Sequence, residues 1–181
     1  MKAFADAALR ELGGVFAALD PAQVPEAVGA LAEARRVALY GVGREGLAMR
    51  GFAMRLFHLG MDVSVVGDMT TPPLGVGDLL VVSAGPGAFS TVLALMGEAH
   101  EAGARTLVFT AQPGRAAELA DISVRVPAQT MADDSGSTSV LPMGSVYEGA
   151  LFVLFEGMVV ALRDQLGISA QAMRARHTNL E

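Results

Sequence analysis

The chain has 181 residues, 52% of them hydrophobic, with a formal net charge of −6 and no cysteine. A single domain of this length can bury a full core. The acidic balance excludes nucleic acid as a partner, because a phosphate-backbone binder needs a cationic face, and the missing thiols exclude disulfides, cysteine nucleophiles and Cys-ligated metals.

In chain order, residues 3–19 and 25–34 read as helices, with apolar residues at three- and four-residue steps and a break at Asp20-Pro21. The first strand is 37–40, and its helix, 45–59, ends at Gly60, a natural left-handed stop. A second strand covers 63–66, a loop 67–73, and the turn Gly75-Val76-Gly77-Asp78 leads into a third strand at 79–83. A helix over 90–101, a strand over 106–110, a short helix over 115–120 and a fifth strand over 122–126 follow. The polar stretch 133–139 reads as a mobile loop, 146–166 as one long apolar helix, and 167–181 as a basic tail. The first six residues lack an apolar signal core, and the longest apolar run, 150–162, carries Glu156 and is short for a bilayer. A cytoplasmic protein with no membrane partner is expected.

Strands alternating with helices predict an α/β fold: a parallel sheet covered on both faces, with right-handed crossovers. The chain shows no linker, so it reads as one domain: a helical N-terminal arm over 1–35, an α/β core over 36–166 and the tail. Two strands end in glycine turns that open helices, Gly41-Val42-Gly43-Arg44-Glu45-Gly46 and Ala84-Gly85-Pro86-Gly87. Such turns aim free backbone N–H groups at whatever lies above the strand ends, which suits an anion. The first also spells the dinucleotide pattern G-x-G-x-x-G. However, Asp62 comes too early and Asp68 too late for the ribose, and that reading gives the second turn no role. A tight turn with no ligand is the bland alternative.

From Gly41 onward the sequence resembles the sugar isomerase (SIS) domain family, most closely its 6-phospho-3-hexuloisomerases. The resemblance rests on Gly41-Val42-Gly43-Arg44, on the stretch from Phe52 to Gly60 (FAMRLFHLG), on Thr70-Thr71-Pro72, and on Leu141-Pro142-Met143-Gly144-Ser145 with Glu148 shortly after. The ending, Arg176-His177-Thr178-Asn179-Leu180-Glu181, belongs to it as well. It implies a three-layer α-β-α sandwich with a five-stranded parallel sheet in flavodoxin-like order, and a homodimer or homotetramer with sites near subunit boundaries. It also implies isomerisation of 3-hexulose 6-phosphate to fructose 6-phosphate without metal or cofactor, a step of the ribulose monophosphate pathway.

By the same resemblance Glu148 is the base that moves a proton through an enediol, and His177 an auxiliary acid that could reach a neighbouring subunit. Gly43, Arg44, Glu45, Ser83, Ala84, Gly85, Pro86, Gly87, Ala88 and Ser90 line the phosphate end of a sugar phosphate. The chain departs from the family at these turns. Glu45 stands where the family has serine, and Ala84-Gly85-Pro86-Gly87-Ala88-Phe89 replaces a Ser-Gly-Ser-Gly-x-Thr pattern, so hydroxyls that hold phosphate are gone. Glu45 should repel a phosphate unless it pairs with Arg44 or turns away. A non-catalytic sugar-phosphate sensor, or a paralogue with a shifted ligand, is the alternative. His58 reads as structural and His100 as a surface residue; Arg50 reads as an ion-pair partner and Arg55 as facing a subunit boundary. Asp133 and Asp134 read as solvated, and the methionines as core fillers.

Overall fold

The computed structural model describes residues 1–135 and 139–180. The apolar runs pair as β1 (Val37–Tyr40), β2 (Val63–Val65), β3 (Leu79–Ser83), β4 (Arg105–Thr110) and β5 (Ile122–Arg125). All pairings are parallel, in the order β2-β1-β3-β4-β5, which is the flavodoxin-like order expected. The register Val37↔Leu79 and Leu39↔Val81, continued by Val81↔Leu107, puts odd-numbered side chains of neighbouring strands on one face. β3 is buried along its whole length because helices cover both its faces, whereas β2, at the edge, is half-buried.

The two layers of helices are unequal. The face bearing Val37, Leu39, Val81 and Phe109 is covered by α1 (Lys2–Ala18), α2 (Gln23–Glu33), α3 (Gly43–Leu59) and α6 (Ser145–Gln165). The face bearing Ala38, Leu80, Val82 and Val108 is covered by α4 (Ser90–Glu101) and α5 (Arg115–Leu119). Phe155 of α6 stacks on Phe52 of α3 at 4.3 Å between ring centroids and meets Phe109 of β4 edge-on at 5.0 Å. Burying each such ring contributes about 1.5–3 kcal/mol, and favourable ring geometry about 0.5–1.5 kcal/mol more. That trio fixes α3 and α6 against the sheet, and with them the two helix starts that carry the site.

The turn into β3 is held by Asp78, whose side chain is fully buried. It accepts both guanidinium bonds of Arg35 at 3.0 Å and the Gly75 N–H at 2.9 Å, and these bonds hold its carboxyl below the usual carboxylate range.

The helical N-terminal arm packs against the core, α1 on α6 and α2 on both α6 and β5. The tail contains a further helix, α7 (Ala170–Ala175), capped by Ser169 and packed on the far end of α3. Residues 133–139, read as a mobile loop, are tied by hydrogen bonds at both edges. Asp133 closes a capping box on Thr130, and Ser139 donates to Glu11 at 2.6 Å; residues 136–138 lie outside the described residues. Finally, α6 runs for 21 residues, long and apolar enough to cross a membrane by length and composition, yet half of its most apolar stretch is buried inside the protein.

Candidate active site

Strand order reverses between β1 and β3: from β1 the sheet grows outward through β2 on one side and through β3, β4 and β5 on the other. Ligands of open α/β sheets bind at the carboxyl ends of the strands at such a point. Here the Gly41 and Ala84 turns both leave those ends. A cavity of about 450 Å³ opens beside them, walled by the start of α3, Pro86 and Phe89 of the second turn, the Thr130–Ala132 segment and the start of α6.

Three charged side chains face this cavity, namely Arg44, Glu45 and Glu148. The structure sends the first two in different directions, as adjacent residues on a helix must go. Arg44 reaches across to the segment before α6. Its guanidinium donates to Ser145 Oγ at 3.0 Å, to the Met143 carbonyl, and lies 3.1 Å from Glu148 Oε2. Met143 is the one non-glycine at positive φ (58°) among the described residues, a conformation costing about 1–2 kcal/mol. The Arg44 bond to its carbonyl helps to hold it there. Glu148, in the first turn of α6, is one-fifth exposed. Burial raises its carboxyl above the ordinary value, Arg44 opposes this, and the nearby Glu45 adds to it.

Glu45 turns inward. Its Oε2 accepts the Ser83 hydroxyl at 2.6 Å and the Gly85 N–H at 3.0 Å, while Ser83 Oγ shares a 3.1 Å bond with the Tyr147 hydroxyl. With Ser83 donating to the carboxylate, the Tyr147 hydroxyl is the donor to Ser83. Glu45 therefore neither pairs with Arg44 nor swings away, the two outcomes the sequence suggested. Burial lifts its carboxyl above the ordinary value, against the lowering effect of the Ser83 and Gly85 bonds. The Tyr147 phenol, fully buried beside Glu45, is pushed far above its ordinary range, chiefly by desolvation. Gly85 has to be glycine: a Cβ there would lie 2.9 Å from both Glu45 Oε1 and Tyr147 Cε1.

Of the expected site residues, Gly43, Arg44, Glu45, Pro86 and Glu148 line the cavity. Ser83 and Ala84 are fully buried beneath it. Gly85 contributes its N–H to Glu45. Gly87, at φ 92°, is locked away: its N–H bonds the Ala84 carbonyl at 2.9 Å, and its backbone packs against Pro113 and Gly114. Ala88 and Ser90 are exposed and form no part of the cavity wall.

His177 stacks on His58 with 5.3 Å between ring centroids, and Arg176 donates to the His58 carbonyl at 3.2 Å. Both contacts lie at the C-terminal end of α3, about 20 Å from the cavity at 1.5 Å of rise per residue. Within one chain, His177 and Glu148 are not brought together. The sequence reading passed over Tyr147, Thr130 and Met131, and it met Phe89 and Met143 only within motifs, not as part of the wall. Tyr147, one of two tyrosines in the chain and directly before Glu148, was the one with a visible signal. Met131 and Met143 are exposed at the cavity, unlike the core methionines Met49, Met96 and Met158. His100 lies at the surface, as expected, and bonds Thr106 at 3.0 Å and Asp121 at 3.2 Å.

A broader depression of about 620 Å³ borders α1 and the Pro127–Gln129 segment that follows β5. Its carboxylates are already used: Glu11 accepts from Ser139 and the Val140 N–H, and Asp133 accepts from Thr130 and Gln112.

No protein-family model matches the chain. A curated 3-hexulose-6-phosphate isomerase from Mycobacterium gastri is 40% identical over 172 residues, covering 94% of this chain and 86% of that protein. The chain belongs to the 3-hexulose-6-phosphate isomerase family. A relative of the same name from Methylomonas aminofaciens is 38% identical over 149 residues, 82% of each chain. The solved structure of a Methanococcus jannaschii protein, from which a 3-hexulose-6-phosphate isomerase function was inferred, superimposes with a TM-score of 0.85. It is 26% identical and covers 97% of this chain and 98% of that one. Family membership and the shared SIS fold agree with the resemblance first read from the glycine turns and the Phe52–Gly60 stretch.

Proposed function

We infer that this chain is a phosphosugar isomerase that converts 3-hexulose 6-phosphate to fructose 6-phosphate, with Glu148 as the base. The observation that carries this is the setting of Glu148, a partly buried carboxylate facing the cavity at the strand ends, oriented by Arg44 at 3.1 Å. Family membership supports the same reading. Glu148 removes the proton from C2 of the 3-ketose, breaking the C2–H bond and leaving an enediol across C2 and C3. Returning that proton to C3 forms the new C–H bond. The hydroxyl proton of O2 leaves as O3 gains one, so the carbonyl moves from C3 to C2 and atoms balance. Burial raises the basicity of Glu148, which favours proton abstraction, while Arg44 keeps it ionised.

Purified protein given 3-hexulose 6-phosphate should form fructose 6-phosphate, and Glu148→Gln should lower kcat by about 10²–10⁴-fold. An inactive wild-type protein would remove the enzyme reading and leave the sensor. The position of Glu45 favours that rival, because it alters the seat expected for phosphate.

A homo-oligomer also belongs to this reading. α3 and α6 present Leu47, Met54, Phe57, Phe152 and Val160 to solvent, a strip flanking the Arg55–Glu156 pair with its bonds of 2.8 and 3.1 Å. An apolar strip this long, rimmed by polar groups, suits a second copy of the chain. The auxiliary role of His177 requires that a second copy carry it to a neighbouring cavity.

A further inference from the structure

The seat between the two glycine turns is occupied from within. The Gly85 N–H and the Ser83 hydroxyl both bond Glu45 Oε2. The Gly87 N–H is spent on the Ala84 carbonyl, Pro86 has no N–H, and positions 84, 88 and 89 are Ala, Ala and Phe. Arg44 is the one cation lining the cavity among the described residues, and it is committed to Glu148, Ser145 and the Met143 carbonyl. A phosphate arriving at Ser83 and Gly85 would find both donors taken and a carboxyl in its place. By contrast, Glu45 Oε1 accepts no hydrogen bond among the described residues, although the residue lines the cavity. Much of the remaining wall is apolar, formed by Val42, Phe89, Met131 and Met143.

The geometry points to Glu45 as a specificity-determining residue: its carboxyl fills the seat of a ligand phosphate and offers Oε1 to a sugar hydroxyl, so that the site takes uncharged ketoses as well as their phosphate esters. This rests on the reading of the cavity as a ketose site, and it adds that the phosphate contributes no affinity at the glycine turns. A phosphorylated ketose still reaches Glu148, held by its carbon chain and hydroxyls.

The test is calorimetric titration of the full chain with fructose, with fructose 6-phosphate, and with inorganic phosphate as competitor. Wild-type protein should bind the two sugars within about threefold of each other, and inorganic phosphate should displace neither. Glu45→Ser frees the Gly85 and Ser83 donors and should tighten fructose 6-phosphate about 10- to 100-fold relative to fructose. Glu45→Gln keeps the seat filled and should remain indifferent to the phosphate, which preserves the comparison if the serine variant folds poorly. A wild-type preference of tenfold or more for the ester, relieved by inorganic phosphate, overturns the proposal, as does binding of neither sugar. Failure of the isomerase assay with equal sugar binding would sink the catalytic reading and leave this one standing.

Discussion

Replacing Gly46 with alanine places a methyl group 2.5 Å from the Gly41 carbonyl oxygen and 3.1 Å from the carbonyl carbon. Both are backbone atoms, so no side chain can rotate aside. Reaching ordinary contact at 3.4 Å means opening the first glycine turn or moving the start of α3 by about 0.9 Å, the difference between 3.4 and 2.5 Å. Overpacking of this kind costs about 1–3 kcal/mol, and rigid backbone puts it at the upper end. Alanine returns about 0.5–1 kcal/mol through better helix propensity, leaving a net loss of about 1–2 kcal/mol. Gly97, midway along α4, is the control, because a Cβ there meets nothing within 4 Å. Gly97→Ala should therefore gain about 0.5–1 kcal/mol. For a domain of this size each kcal/mol moves Tm by about 2–4 °C, so thermal and urea unfolding should separate the two variants clearly and in opposite directions. Gly46→Ala should also lose activity out of proportion to stability, since Arg44 and Glu45 sit on the turn that moves and a displacement near 1 Å can cost about 10²-fold. A Gly46→Ala protein as stable as wild type would refute the reasoning, because the close approach of α3 to the first turn could not then be real.

A second expectation concerns pH. Burial raises the Glu45 carboxyl above its ordinary value near 4.5, so the stability gained by keeping it uncharged is full below that value and is lost as pH rises through the folded one. Glu45→Gln escapes the loss, and its urea midpoint relative to wild type should climb between about pH 4 and pH 8; a difference that stays flat counts against the assignment. On the apolar strip, Phe152, two-thirds exposed in the single chain, should be central to self-association. Phe152→Glu should weaken assembly in sedimentation equilibrium by about tenfold or more, and an unchanged mass distribution would remove that face from the interface.

The strands were legible because each is a short apolar run ended by a glycine or polar turn. β1, β3 and α4 fall on their expected boundaries, and β2 is shorter by one residue at the sheet edge, where pairing ends first. Glu148 was legible as a carboxylate on the first turn of a long helix. The direction of Glu45 was not, since its partners lie about 40 residues away and local spacing suggested only Arg44. Arg44 itself was drawn to a partner 104 positions on, at Glu148. Likewise α7 was missed because six residues give too short a period to read, and its one clue was Ser169 as a cap. The separation of His177 from the cavity follows from the packing of α7 on the end of α3, a tertiary fact with no trace in the motif that contains it.

The three bonds of Arg44 also bear on how the protein comes to work. They join the first strand's turn to residues 99, 101 and 104 positions later, at Met143, Ser145 and Glu148. Closing a loop of that span is entropically unfavourable and is offset only once the intervening sheet has formed. Glu148 therefore reaches Arg44 at the end of assembly, after both halves of the chain have docked. Recovery of turnover during refolding should lag behind recovery of secondary structure, which would make catalysis a reporter of the last step of folding.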